Sequence, residues 1–278
     1  MNHVDASANV TSVRSRASSD SSRRLFHSLA VLLFALATAL TIVSCQAMSK
    51  MGSMAMPGGW AMSMTWMRMP GQSWTNAAAM FISMWIVMMV PMMLPSLMPM
   101  LSSYRERVAE AADDRLGRLT VTVALGYFAV WTAIGLAVFV AGATLAAGLM
   151  ASPALSRSVP VAVGACVAAA GALQFTAWKA RQLAGCGAAA ISGCACRSNA
   201  GSAWRHGLRL GLRCSACCSG PMMVLLVVGV MDLVAMTLVT AAITLERVMP
   251  FGERAARATG AIAMTAGLVL VWRSLGPG

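Results

Sequence analysis

Apolar residues in this chain come in unbroken blocks of about twenty, and that pattern decides most of what it can fold into. A bilayer core of about 30 Å is crossed by roughly 20 apolar residues in a helix. Six stretches reach that length: 25–44, 76–101, 119–150, 159–178, 221–245 and 255–272. The fold class predicted is all-α, a polytopic transmembrane helix bundle of about six spans, with seven as the alternative. Only 11% of residues are charged and 58% are hydrophobic, where a soluble domain is roughly a quarter charged. An ordinary soluble enzyme, a disordered chain and a collagen-like repeat are excluded. No repeat at solenoid periods is present.

Charge then orients the spans. The net charge of +12 is grouped at span ends, without the aromatic interleaving of a nucleic-acid platform. Arg14, Arg16, Arg23 and Arg24 precede the first block, and Arg105, Arg107, Arg115 and Arg118 follow the second. Lys179, Arg181, Arg197, Arg205, Arg209 and Arg213 follow the fourth. Basic segments belong in the cytoplasm, so six spans put both termini there, in a cell membrane and by preference a bacterial inner membrane. Arg247, Arg254 and Arg257 then fall in an outer loop, which seven spans would cure. Trp74, Trp178 and Trp272 sit at block ends as interfacial anchors do. Residues 1–24 read as a disordered basic tail. Residues 25–278 form the helical domain, with a Met-rich outer segment at 45–75 and a cytoplasmic Cys-containing loop at 179–213. The run Ile42-Val43-Ser44-Cys45 also fits a lipoprotein-type cleavage site, but the long apolar stretch before it favours a retained helix.

The chain is rich in sulfur, with 24 Met and 8 Cys. Met48, Met51, Met54, Met56, Met62, Met64, Met67 and Met69 fall within 22 residues that Gly and Pro keep from being helical. Three M-x-M pairs (Met54/Met56, Met62/Met64, Met67/Met69) present two thioethers on one side of an extended segment. Thioethers select Cu(I) over Zn(II) and hard cations; the plainer reading is an apolar surface loop. In the second block Met80, Met84, Met88 and Met92 recur every fourth residue, as do Met89 and Met93. Such residues stack on a helix face, either as a soft-metal path or as adaptable core filler. Pro91, Pro95 and Pro99 predict kinks there.

The sharpest cluster is Cys214-Ser-Ala-Cys217-Cys218, followed by Met222. On a helix the three thiols share one face, with Met222 one turn on. That set suits Cu(I) and tolerates Zn(II), and Arg213 beside it favours the thiolate. The C-x-x-C spacing also permits a redox dithiol at Cys214 and Cys217, and Cys as a small apolar residue is the simplest reading. Asp232 is alone in an apolar stretch and reads as functional or as a helix cap. Gly229 and Asp232 are the two residues that could break residues 214–245, a run long for one span and short for two. Cys186, with Cys194 and Cys196, offers a weaker capture site in the cytoplasmic loop.

Three segments together resemble a known family. They are Trp85-Ile-Val-Met88-Met89-Val-Pro-Met92-Met93-Leu-Pro95-Ser96, Gly126-Tyr127-Phe-Ala-Val-Trp131, and Cys214 through Met223 continuing to Gly229-Val-Met231-Asp232. They are similar to the family of predicted metal-binding integral membrane proteins, long catalogued as a domain of unknown function. One branch of it is associated with copper supply to a tyrosinase-type oxidase. The resemblance covers about residues 60–272, and Glu246-Arg247-Val-Met-Pro250 also fits. It departs where the family has a Cys pair after the fourth span, of which Cys186 alone remains. It departs again at Ser219, Gly220 and Pro221, and at Asp232 in place of the usual Asn.

The function expected is non-enzymatic Cu(I) handling in the membrane, with delivery to a cuproenzyme or exchange with a metal-donor protein. Zinc is the less favoured metal. The alternative is a membrane thiol–disulfide oxidoreductase on Cys214/Cys217, and a plain structural subunit is the third reading. No carboxylate pair, Ser/His/Asp set, P-loop or dinucleotide fingerprint occurs, so neither nucleotide-driven nor hydrolytic chemistry is expected, and nucleic acid is not a partner.

Overall fold

The computed structural model describes residues 3–50, 52–63, 66, 71–109, 115–191, 199–249 and 251–276. Among them are eight helices and one hairpin: α1 (His3–Lys50), β1 (Ser53–Met56), β2 (Trp60–Ser63), α2 (Trp74–Ala109), α3 (Leu116–Ala151), α4 (Pro153–Leu173), α5 (Ala177–Ile191), α6 (Ala200–Val228), α7 (Leu233–Val248) and α8 (Gly252–Leu275). Six of them (α1, α2, α3, α4, α6 and α8) are long and apolar enough to cross a membrane. The all-α bundle is as the apolar blocks require.

Three boundaries differ from the sequence reading. First, α1 runs back to His3 through the tail expected to be disordered; residues 1–51 hold neither Gly nor Pro to stop it. Second, the cytoplasmic loop at 179–213 is largely helix: α5 covers its first part, and α6 begins at Ala200, capped by Asn199. Arg205, Arg209 and Arg213 therefore lie on α6 itself. Third, the block 221–245 is broken at Gly229 and Asp232, the two residues offered for a break and the seven-span alternative. Gly229 at φ 145°, a conformation open to glycine, ends α6, and Asp232 starts α7 by accepting from the Ala235 N–H at 2.9 Å. A hydropathy run cannot register that turn, because both arms are equally apolar.

The sixteen residues of α7 span about 24 Å and run back along α6. This reverses α8 relative to the six-span expectation. The hairpin end of the molecule gathers Trp60, Val159, Gly229, Asp232 and Ser274 around one cavity of about 500 Å³. At the other end Arg105 donates to the Ser22 hydroxyl at 2.8 Å, and Tyr104 stacks on His206 with ring centroids 5.3 Å apart. Ser22 and Ser274 are thus at opposite ends, and the expectation of both termini on one side is corrected.

Glycines set the closest helix approaches. A Cβ on Gly126 of α3 would lie 2.7 Å from the Trp204 carbonyl oxygen of α6, and one on Gly211 would lie 3.0 Å from the Tyr127 carbonyl. Small residues let backbones meet this way in membrane bundles. The same device joins α4 to α8 through Gly164, Gly171, Gly260 and Gly267. The hairpin turns at Pro57-Gly58-Gly59, as its Gly and Pro content requires, and pairs Met54 with Met62. It is tied down by the Trp60 indole N–H donating to the Ser156 carbonyl at 2.9 Å.

Candidate metal centre

The centre is built where α2, α3, α6 and α7 meet. Helical spacing puts Cys214, Cys217, Cys218 and Met222 of α6 on one face, and all four are buried. Met88, Met89, Met92 and Met93 of α2 are buried in the same apolar cluster. Helix α2 continues through Pro91, Pro95 and Pro99 as one element.

Cys214 is the hub, with none of its surface exposed. Its Sγ lies 3.8 Å from the Cys218 Sγ and 4.0 Å from the Met93 Sδ. Two donors point at it: the Tyr127 hydroxyl at 3.0 Å and the Arg247 Nη1 at 2.6 Å. The other end of that guanidinium, Nη2, is 3.6 Å from the Met100 Sδ. The Cys217 thiol interacts with Cys218 in turn. Metal–sulfur bonds of about 2.3 Å in a trigonal arrangement put sulfurs about 4.0 Å apart, close to both spacings at Cys214. Among the described residues, no three His, Cys, Asp or Glu side chains are set to hold a metal between them; the third sulfur at Cys214 belongs to a methionine.

A polar layer supports the thiol helix. Pro221 has no N–H, so the Cys217 carbonyl four residues earlier loses its helical donor. Lys179 replaces it, donating to that carbonyl at 2.7 Å. The same ammonium pairs with the Glu246 Oε2 at 2.6 Å, and both side chains are 2% exposed. Gln174 and Thr259 donate to the other Glu246 oxygen at 2.9 and 2.7 Å. Both carboxylate oxygens and the ammonium of the ion pair are thereby hydrogen-bonded, as burial of such a pair requires.

The matching family model is that of PpoB2, described as a copper chaperone, and it covers residues 82–270. The chain belongs to this family. No curated protein and no solved structure matches it. The PpoB2 match takes in the whole sulfur centre, its Arg247 and Tyr127 donors and the Lys179–Glu246 pair, and begins beyond the hairpin. The copper character read from the sulfur and the resemblance stated from the three motifs agree with it.

The remaining sequence candidates are placed as follows. Met54 is exposed on β1, whereas Met56 and Met62 are buried against Ala146 and Leu149 of α3. Met64, Met67 and Met69 lie outside the described residues, as do Cys194 and Cys196. Cys186 falls on α5, its side chain outside the described set. Asp232 caps α7 at the hairpin end, away from the thiols: Gly229 to Cys214 alone is about 22 Å along α6. For the redox alternative, the thiol 3.8 Å from Cys214 is Cys218 rather than Cys217. Residue-level reading did not reach Tyr127, Arg247, Lys179 or Glu246 as site residues, although Tyr127 and Glu246-Arg247 lie within the quoted family segments. The available signal was ionisable groups beside apolar runs, which are costly in a membrane and usually functional.

Proposed function

We propose that the chain is a non-enzymatic, multi-pass membrane carrier of Cu(I). It holds the ion at Cys214, Cys218 and Met93 and passes it to a copper-using enzyme. The observation that carries this reading is the pair of sulfur spacings at Cys214, 3.8 Å to a thiol and 4.0 Å to a thioether. A thiolate–thioether set of that size suits a soft monovalent ion. Cys217, in contact with Cys218, supplies a further thiol for exchange with an incoming ligand.

The α2 methionines supply a route to the site. Met80 is exposed toward the hairpin end, Met88 and Met92 are buried, and Met84 packs against the core. Each four-residue step is about 6 Å along the helix, which brings a soft ion from the surface to the level of Met93. Trp66 packs on both the hairpin cluster and the main core, so the two sulfur regions are in continuous contact.

The test is the copper content of detergent-purified protein and of its Cys214→Ser and Cys218→Ser variants. Wild-type protein is expected to retain about one Cu(I), and each variant to bind at least about 100-fold more weakly, since even partners of a ligand are worth 10–100-fold. Equal copper in all three sinks the carrier reading. A Cys217-dependent mixed disulfide with no bound copper would point to the thiol–disulfide alternative.

A further inference from the structure

The charged group closest to the thiols is the Arg247 guanidinium, which faces sulfur with both terminal nitrogens: Nη1 on Cys214 at 2.6 Å and Nη2 on Met100 at 3.6 Å. A guanidinium keeps its charge in proteins. Of the other cations near the thiols, Lys179 is balanced by Glu246, and Arg213, next to Cys214 in the chain, is exposed. We infer that Arg247 is a specificity-determining residue: it fixes the charge of the ion the sulfur site accepts at one.

The inference rests on the carrier reading above and follows from a charge count in a buried place. Thiols bind metals as thiolates, so Cys214 and Cys218 together bring two negative charges, and Met93 brings none. Arg247 leaves that set at a net charge of minus one. A monovalent soft ion makes the loaded centre neutral. Zn(II) or another divalent ion leaves an uncompensated positive charge beside a guanidinium, around a sulfur with no exposed surface. Burying such a charge is strongly unfavourable. Soft donors already prefer Cu(I), and at the two-thiolate site of Cys214 and Cys218 the arginine makes a divalent ion the charged option; only Cys217 joining as a third thiolate would offset it. The Tyr127 hydroxyl at 3.0 Å adds a second donor to the same sulfur without adding charge, so the count is unchanged.

The experiment compares full-length wild type, Arg247→Met and Arg247→Lys in detergent. Cu(I) is titrated anaerobically against a chelator, and Cd(II) is followed by its thiolate absorption. Wild type is expected to take Cu(I) and to show no thiolate-bound Cd(II). Arg247→Met removes the cation and keeps apolar length. It should lose about tenfold in Cu(I) affinity, the scale of a lost charge-assisted bond, and gain Cd(II) binding at the thiols. Arg247→Lys keeps the charge and should continue to exclude Cd(II). An unchanged Cu(I)-to-Cd(II) preference in Arg247→Met overturns the inference, while copper lost from Cys214→Ser leaves the carrier reading standing. If Arg247→Met is not recovered as a folded protein, the wild type decides alone: Cd(II) held at its thiols overturns the inference, and its exclusion supports it.

Discussion

The methionines of the hairpin and those of α2 are the same donor in two different settings. On the hairpin, Met54 is 39% exposed, while Met56 and Met62 are packed against Ala146 and Leu149, apolar neighbours that ask only for volume. On α2, Met93 is fully buried and its sulfur is 4.0 Å from a thiol that also receives a phenol and a guanidinium. The first set is held by two short strands, the Trp60 indole bond to the Ser156 carbonyl and the Ser156 hydroxyl bond to the Pro57 carbonyl; the second is held by four helices. On the proposed reading, what separates a metal centre from a supply of thioethers is the rigidity and charge around the sulfur rather than the sulfur itself. The PpoB2 family match includes the second set and omits the first.

The largest expected effect that tests this contrast is on stability. Lys179→Met leaves Glu246 buried without its partner and the Cys217 carbonyl without its donor. Loss of one member of a buried pair costs about 3–5 kcal/mol, so unfolding of the detergent-solubilised protein should shift by that amount, with loss of bound copper. The double variant Lys179→Met/Glu246→Leu should recover much of it, because no unpaired charge remains. If Lys179→Met is as stable as wild type, the polar layer does not hold the thiol helix in place.

A smaller effect separates methionines within α2. Met92 and Met93 are adjacent and both buried, but it is the Met93 sulfur that lies beside Cys214. Met93→Leu should weaken Cu(I) binding about tenfold, within the range for partners around a metal. Met92→Leu conserves volume and should leave affinity unchanged, at a stability cost below about 1.5 kcal/mol. Chelator competition on both variants reads the difference. Equal affinities would move Met93 from ligand to filler.

Much of this was legible in the sequence, and the limits have physical causes. Blocks of apolar residues give the bundle because bilayer thickness fixes their length. The thiol face of α6 follows from spacing alone. That Met93 rather than Met89 meets the thiols depends on how α2 is rotated against α6, and a helix that is apolar all round carries no signal of its rotation. Arg247 was misplaced for a different reason. Gly229 and Asp232 were legible as a possible break, but φ and capping decide it, so the six-span count left Arg247 in an outer loop. In the fold α7 turns back and delivers it to Cys214. The Lys179–Glu246 pair is beyond local reading altogether, since its members are 67 residues apart.

The smallest expected effect belongs to the hairpin. Replacing Met54, Met56 and Met62 together by Leu keeps the apolar volume that Met56 and Met62 present to α3 and removes their thioethers. Such swaps cost little stability, and the Trp60 bond to the Ser156 carbonyl is untouched. The copper held at equilibrium is set by the thiol centre and should stay within about twofold of wild type, a shift well under 1 kcal/mol by the affinity relation. The rate of loading should fall, and only when free copper is scarce, because a capture surface raises local concentration without changing the final site. Stopped-flow loading at limiting Cu(I), set beside equilibrium content, reads the two quantities separately. A large drop in equilibrium copper would make the hairpin part of the centre; an unchanged rate would make it a plain apolar cover over the cavity at the hairpin end.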